Sequence, residues 1–208
     1  MISRRAALLG LLAPAVALAS DLAPAVAFAA DADAVAPIAA LNQALLAAMR
    51  AGRATPFTTR YAALTPAVER AFDLPAILRA SVGLRWNALS PADQAQLLDV
   101  FRTFTICSYA ANFDQFGGER IDIVPGSRTV GADQVVETQI VSGDSTRIDY
   151  VMHRSADGWK AIDVLLNGSI SQAAVNRSDW RTLLGSGAGA LVGSLQRKIA
   201  DLSGGVIH

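Results

Sequence analysis

The chain changes period near its middle. Before Gly117-Gly118 apolar residues recur every three or four positions, and after it they alternate. The first spacing lines one face of a helix and the second lines one face of a strand. Val35, Ile38, Leu41, Leu45, Leu46 and Met49 predict a helix ending at Gly52. Thr55-Pro56 and Thr65-Pro66 each pair a capping residue with a proline suited to a first helical turn. They predict two further helix starts. Asp73 predicts the cap of a short helix through Pro75, Leu78 and Val82. Ser90-Pro91-Ala92-Asp93 opens the best-marked helix. Leu97, Phe101, Phe104 and Ser108 share one of its faces, with Leu98, Thr105 and Tyr109 close beside.

Beyond Gly118 the pattern predicts strands. Ile121 and Ile123 alternate with Asp122 and Val124 as far as Pro125-Gly126, and Gln134 to Ser142 forms a second run. Ile148, Tyr150 and Met152 alternate with Arg147, Asp149, Val151 and His153. Asp157-Gly158 is a hairpin signal, because glycine accepts positive φ, and Trp159 to Leu166 returns. Short turns between consecutive strands make a curved, four-stranded antiparallel meander between Glu119 and Leu166. A helical pattern follows Gly168 through Val175, Trp180, Leu183 and Leu184. A last helix carries Leu191, Val192, Leu195, Ile199 and Leu202. Gly185, Gly187, Gly189 and Gly193 dilute its start, which is expected to be mobile or closely packed. Helices, then strands, then helices predict one α+β domain.

One strand is apolar on both sides. Ile162, Val164 and Leu166 fall on one face by alternation, and Trp159, Ala161 and Leu165 on the other. Either both faces are covered by helices, or one is filled by a ligand. The stripe on the Ser90 helix has the same two readings: core packing, or the lining of a cavity.

Composition narrows the possibilities. The chain has 208 residues, 52% of them hydrophobic and 6% aromatic, enough for a sizeable core of small aliphatic side chains. The first thirty residues read as an export signal. Arg4-Arg5 precedes apolar Ala6 to Ala19, and Ala27-Phe28-Ala29 is a small-x-small cleavage site, with Ala17-Leu18-Ala19 as a second candidate. Both a general secretory and a twin-arginine route fit. Residues 31–208 are then the mature single domain, periplasmic and starting near Ala30 or Asp31. Removing Arg4, Arg5 and Asp21 turns 18 basic and 18 acidic residues into 16 and 17. That near-neutral balance lacks the basic footprint of a nucleic-acid binder. Cys107 is the sole cysteine, so it cannot form an internal disulfide and reads as a small buried hydrophobe.

Candidate chemistry is sparse. His153 and His208 do not make a metal site, and no metalloprotease, CxxC, Gly-x-Ser-x-Gly or phosphate-loop spacing occurs. No metal or cofactor is expected. Asp149 and Asp163 lie on central strands, and Tyr109 and Tyr150 are placed to reach inward. A buried carboxylate beside a tyrosine is the arrangement of a cone-shaped isomerase or hydrolase of the NTF2-like type, with Asp163 as general base. The competing reading has Asp163 accept hydrogen bonds and fix the sheet, with Arg177 as its candidate partner.

Several segments together resemble a known family. They are Asp149-Tyr150-Val151-Met152, Gly158-Trp159-Lys160-Ala161-Ile162-Asp163-Val164, Asn167-Gly168-Ser169-Ile170-Ser171, Asn176-Arg177 and Trp180. Phe72-Asp73-Leu74, Val82-Gly83, Trp86 and Phe101 to Tyr109 add to them. The set resembles the MlaC-type periplasmic lipid carriers, also called toluene-tolerance proteins. Ile170 stands where that family has Val, and Asn176 where it has Tyr. Ser108-Tyr109-Ala110-Ala111-Asn112-Phe113-Asp114 is similar to the hopanoid-associated HpnM branch. The resemblance implies an MlaC-like fold and a carrier of phospholipid or hopanoid between inner and outer membranes. It also implies an inner-membrane ABC permease and an outer-membrane complex as partners. The geometry then places the ligand between sheet and helices, lined by Phe104, Tyr109, Ile140, Ile148, Tyr150, Met152, Val164, Leu166 and Ile170.

Overall fold

A computed structural model describes residues 23–207, with side chains from residue 32 onward. The Arg4-Arg5 signal region therefore lies outside the described residues. The cleavage site expected near Ala29 falls within the first helix, α1 (Ala23–Ala51), which starts well before the predicted Val35 and runs through Pro37. Its 32–51 stretch is apolar and long enough to cross a membrane. Ala34, Ile38, Leu41 and Leu45 are nevertheless buried in the domain's core.

The second helix, α2 (Phe57–Ala71), differs from expectation. Thr65-Pro66 does not begin a new helix. The stripe Leu64, Val68 and Ala71 is buried without interruption, and the Thr65 hydroxyl donates to Tyr61 O at 2.8 Å. Packing of that stripe outweighs the one backbone bond a proline removes. Thr55 does not cap this helix either, since Pro56 takes the N-cap position and the Thr55 hydroxyl donates to Ala51 O at 2.9 Å, whereas the caps predicted at Asp73 and Ser90 form. Asp73 accepts from Ala76 N at 2.9 Å at the start of α3 (Leu74–Val82). Ser90 accepts from Asp93 N at 3.1 Å at the start of α4 (Pro91–Asn112). A short 3-10 turn, Gly83–Ala88, joins these two helices.

The sheet is antiparallel throughout and has six strands rather than four. They are β1 (Arg120–Ile123), β2 (Arg128–Val130), β3 (Asp133–Ser142), β4 (Asp144–Ser155), β5 (Gly158–Leu166) and β6 (Ile170–Ser171). The expected four are β1, β3, β4 and β5. Both additions are short. β2 lies along the same edge of β3 as β1 and is split from it at Pro125-Gly126, where proline has no N–H for the ladder. β6 returns onto β5 through a tight turn in which Asn167 and Gly168 take φ of 52° and 74°, and Ser169 N donates to Leu166 O at 3.2 Å. A Cβ on Gly168 would sit 2.8 Å from Arg147 Nε, so a side chain there would have to displace that guanidinium as well as adopt a positive φ.

One irregularity changes which residues face inward. Val151 pairs with Asp163, but Met152 pairs with Ala161, which leaves Ile162 as an extra residue in β5. A bulge of this kind shifts the alternation by one. Ala161, not Ile162, therefore joins Val164 and Leu166 on the face shared with Met152, Tyr150 and Ile148. The opposite face of β3 and β4 carries charge. Arg147 grips the wholly buried Asp149 with two bonds of 2.8 and 2.7 Å, and reaches Glu137 at 2.7 Å.

The chain closes with α5 (Gln172–Gly185) along α3 and α6 (Ala188–Ser203) along α4. The glycine-diluted start of α6 is closely packed, since Ala188, Leu191 and Val192 are buried there.

Candidate functional site

The apolar face of the sheet does not meet the helices everywhere. A cavity of about 360 Å³ remains between α3, α4, α5, α6 and β5, walled by Phe72, Leu74, Ile77, Phe101, Phe104 and Val164. A smaller chamber of about 240 Å³ adjoins it, walled by Phe113, Ile148, Tyr150 and Leu166. Ser108, Tyr109, Asn112, Val164 and Gln172 line both, so the two lie side by side.

Among the predicted positions, Phe104, Tyr109, Ile148, Tyr150, Val164 and Leu166 are brought together around this space. Ile140, Met152 and Ile170 are not among its lining residues. Met152 is wholly buried in the core. Ile140 is half-buried and pairs with Ile121 at the far end of β3. Ile170 is 48% exposed, on β6 beyond the Leu166 end of the cavity.

Two of the hydroxyl-bearing lining residues are engaged within α4. Thr105 donates to Phe101 O and Ser108 to Phe104 O, each at 2.8 Å. Both hydroxyls are satisfied by the preceding helical turn. An aromatic group stands at the junction of the two chambers. The Phe72 ring lies 5.6 Å from that of Tyr109 and 6.1 Å from that of Tyr150, and Tyr109 stacks on Phe113 at 5.9 Å. Burial pushes the Tyr109 hydroxyl well above its ordinary pKa, with the nearby Tyr150 adding to the effect. Burial alone raises Tyr150. Both phenols thus stay protonated, and among the described residues neither hydroxyl has a hydrogen-bond partner. They are donors available to a polar atom of a bound molecule.

Polar side chains gather on one side. Gln172, Asn176 and Asp179 follow one face of α5, and Lys198 extends from α6 with its ammonium 5.8 Å from the Phe104 ring centroid. Sequence reading missed these residues, together with Phe72, Leu74 and Ile77. Phe72 and Leu74 come from a helix junction, where no period announces which way a side chain points, and Ile77 lies one turn further along α3.

Asp163 is engaged by structure. Its carboxylate accepts from Val164 N at 2.8 Å, from Ala173 N at 3.1 Å and from the Ser171 hydroxyl. Two of these partners open α5, so the carboxylate caps the helix where its dipole favours negative charge. Arg177 is not its partner: Arg177 Nε donates to Ala80 O at 2.9 Å, which ties α5 to α3. Cys107 is buried as expected, and burial raises its thiol to about 11. Among the described residues no three histidine, cysteine or acidic side chains converge to hold a metal ion. A larger groove, about 770 Å³, runs between α1 and the β4–β5 turn. Asp33, Arg70, Arg154, Asp157 and Lys160 line it, which makes it a poor shelter for an apolar molecule.

An antiparallel sheet laid against helices over an unfilled apolar cavity defines an α+β binding domain. The family described as MlaC protein matches residues 39–197, and the chain belongs to that family. Among solved structures, the fold is shared with a phospholipid-binding protein from Ralstonia solanacearum, solved in complex with a phospholipid. The two are 21% identical, with a TM-score of 0.71 over 82% of this chain and 99% of that one. No curated protein matches the chain.

Proposed function

We propose that the protein is a periplasmic lipid carrier that shelters the tails of a phospholipid or hopanoid and shuttles it between the inner and outer membranes. The observation that carries this reading is the pair of adjoining, aromatic-walled chambers between sheet and helices. Membership in the MlaC family and the phospholipid held by the Ralstonia solanacearum protein support it. Each sheltered methylene contributes about 0.8 kcal/mol, so ten of them contribute about 8 kcal/mol, enough for micromolar binding with no catalytic group. The Tyr109 and Tyr150 hydroxyls give a donor pair for an ester or hydroxyl oxygen inside. Gln172, Asn176 and Lys198 suit a polar group nearer the surface. An enzyme of the cone-shaped type with Asp163 as base is the weaker reading, because that carboxylate is already occupied by the start of α5. The carrier works with an inner-membrane ABC permease and an outer-membrane complex. Its mature form starts near Ala30 or Asp31. Transfer of a labelled phospholipid from donor to acceptor vesicles tests the function. Protein-dependent transfer is expected, and transfer no faster than the spontaneous rate contradicts it. N-terminal sequencing of the exported protein tests its location.

A further inference from the structure

Phe72 occupies the two-residue link between α2 and α3, and its backbone is pinned on both sides. Its N–H donates to Val68 O at 3.0 Å, it bridges Ala161 in parallel, and Asp73 N donates to Ala161 O at 2.9 Å. Only its side chain is left to turn. That ring, with Leu74, is a wall between two spaces. On one side lies the 360 Å³ chamber. On the other lies a groove of about 390 Å³, whose apolar lining is Phe72, Leu74, Pro75 and Leu98. The ion-paired Glu69 and Arg102, together with Asp73, Asp157 and Lys160, supply its charged margin. An apolar-lined groove thus sits directly behind the end of an apolar chamber, and two side chains separate them.

We propose that Phe72, backed by Leu74, is a partition that sets how long a lipid tail the chamber accepts, and that the groove behind it is space a longer tail would enter. The proposal rests on the carrier reading. While a tail is still finding room, each added methylene strengthens binding roughly fourfold. Once its end meets the ring, the next methylene gains nothing or forces the packed wall apart. Affinity therefore climbs with tail length and then stops. Removing the ring moves the stop outward, and a tail two carbons past the old limit gains on the order of 15-fold.

The test is binding of a lysophosphatidylglycerol series with saturated tails of increasing length to the delipidated protein, read by competition in native mass spectrometry. Wild type should show a ceiling in tail length. Phe72→Ala should raise that ceiling, and Phe72→Leu, which keeps an aliphatic contact in the core, should raise it less. The milder variant also serves if the first does not fold. Leu98→Trp, which fills the groove from its far side, should leave the wild-type profile alone and restore the original ceiling in the Phe72→Ala background. A folded Phe72 variant with an unchanged ceiling overturns the partition and leaves the carrier reading standing. A wild type that binds none of the series removes the carrier reading and the partition together.

Discussion

Val164→Asp places a carboxyl group where both chambers meet. Val164 lines each of them and pairs with Tyr150 across β4 and β5. In the empty protein water reaches this position, so the carboxylate stays solvated and the fold survives. A lipid tail removes that water. The loaded state then either buries an unpaired charge or binds a proton to avoid it, and protonation sets the upper limit of the penalty. An aspartate with an ordinary pKa of about 3.9 lies about 3 pH units below neutrality, so neutralising it at pH 7 costs about 4 kcal/mol. Lipid affinity should fall on the order of a thousandfold. The sign with pH follows. Loading raises the pKa of the introduced group, so the penalty is full at neutral pH and fades as pH falls toward 4. At pH 4.5 the cost is about 1 kcal/mol, and binding should recover on the order of 200-fold. The assay is lipid content per protein after incubation with vesicles at both pH values, with circular dichroism confirming the fold. Val130→Asp, on the exposed strand β2 away from the cavity, is the control and should bind as wild type does. A folded Val164→Asp protein carrying a full load at pH 7 would refute the placement of the ligand.

Other outcomes follow from the same geometry. Asp163→Ala strips the start of α5 and the Ser171 hydroxyl of their acceptor, and should cost about 2–4 kcal/mol in thermal unfolding. An unchanged melting point would show the cap to be idle. Arg147→Ala leaves Asp149 buried with only Arg128, 3.8 Å away, and should lower the midpoint of urea unfolding. The Cys107 thiol, raised by burial to about 11, should resist alkylation at pH 8 in the native protein and react once urea unfolds it. Rapid native alkylation would contradict its placement in the core.

Features decided by neighbours in sequence were legible, and features decided across the chain were not. The caps at Asp73 and Ser90 are local chemistry, and both form. Alternation set Ile148 and Tyr150 on one face of β4, and both line the smaller chamber. The same rule failed one strand later, because the bulge opposite Val151 lets Ala161 take the inward place assigned to Ile162. No residue in that strand signals the extra position. Met152 obeys its alternation and is still not a lining residue, because Ala161 opposite is small and the core closes over the pair. Phe72 and Leu74 could not be found from a pattern. They sit at a junction between helices, and their role depends on Tyr109 and Tyr150, which arrive from far along the chain. The Asp149–Arg147 pair is two positions apart on one strand, as alternation allows, but its burial is set by the strands on either side.

The central claim is that the space between sheet and helices holds a lipid. Mass spectrometry of an organic extract of the purified protein, with lipid quantified against protein, addresses it most directly. The account predicts lipid near one molecule per protein in the wild type, and little or none in folded Val164→Asp purified at neutral pH. A wild-type extract without lipid, from protein that also takes none up from vesicles, would contradict it.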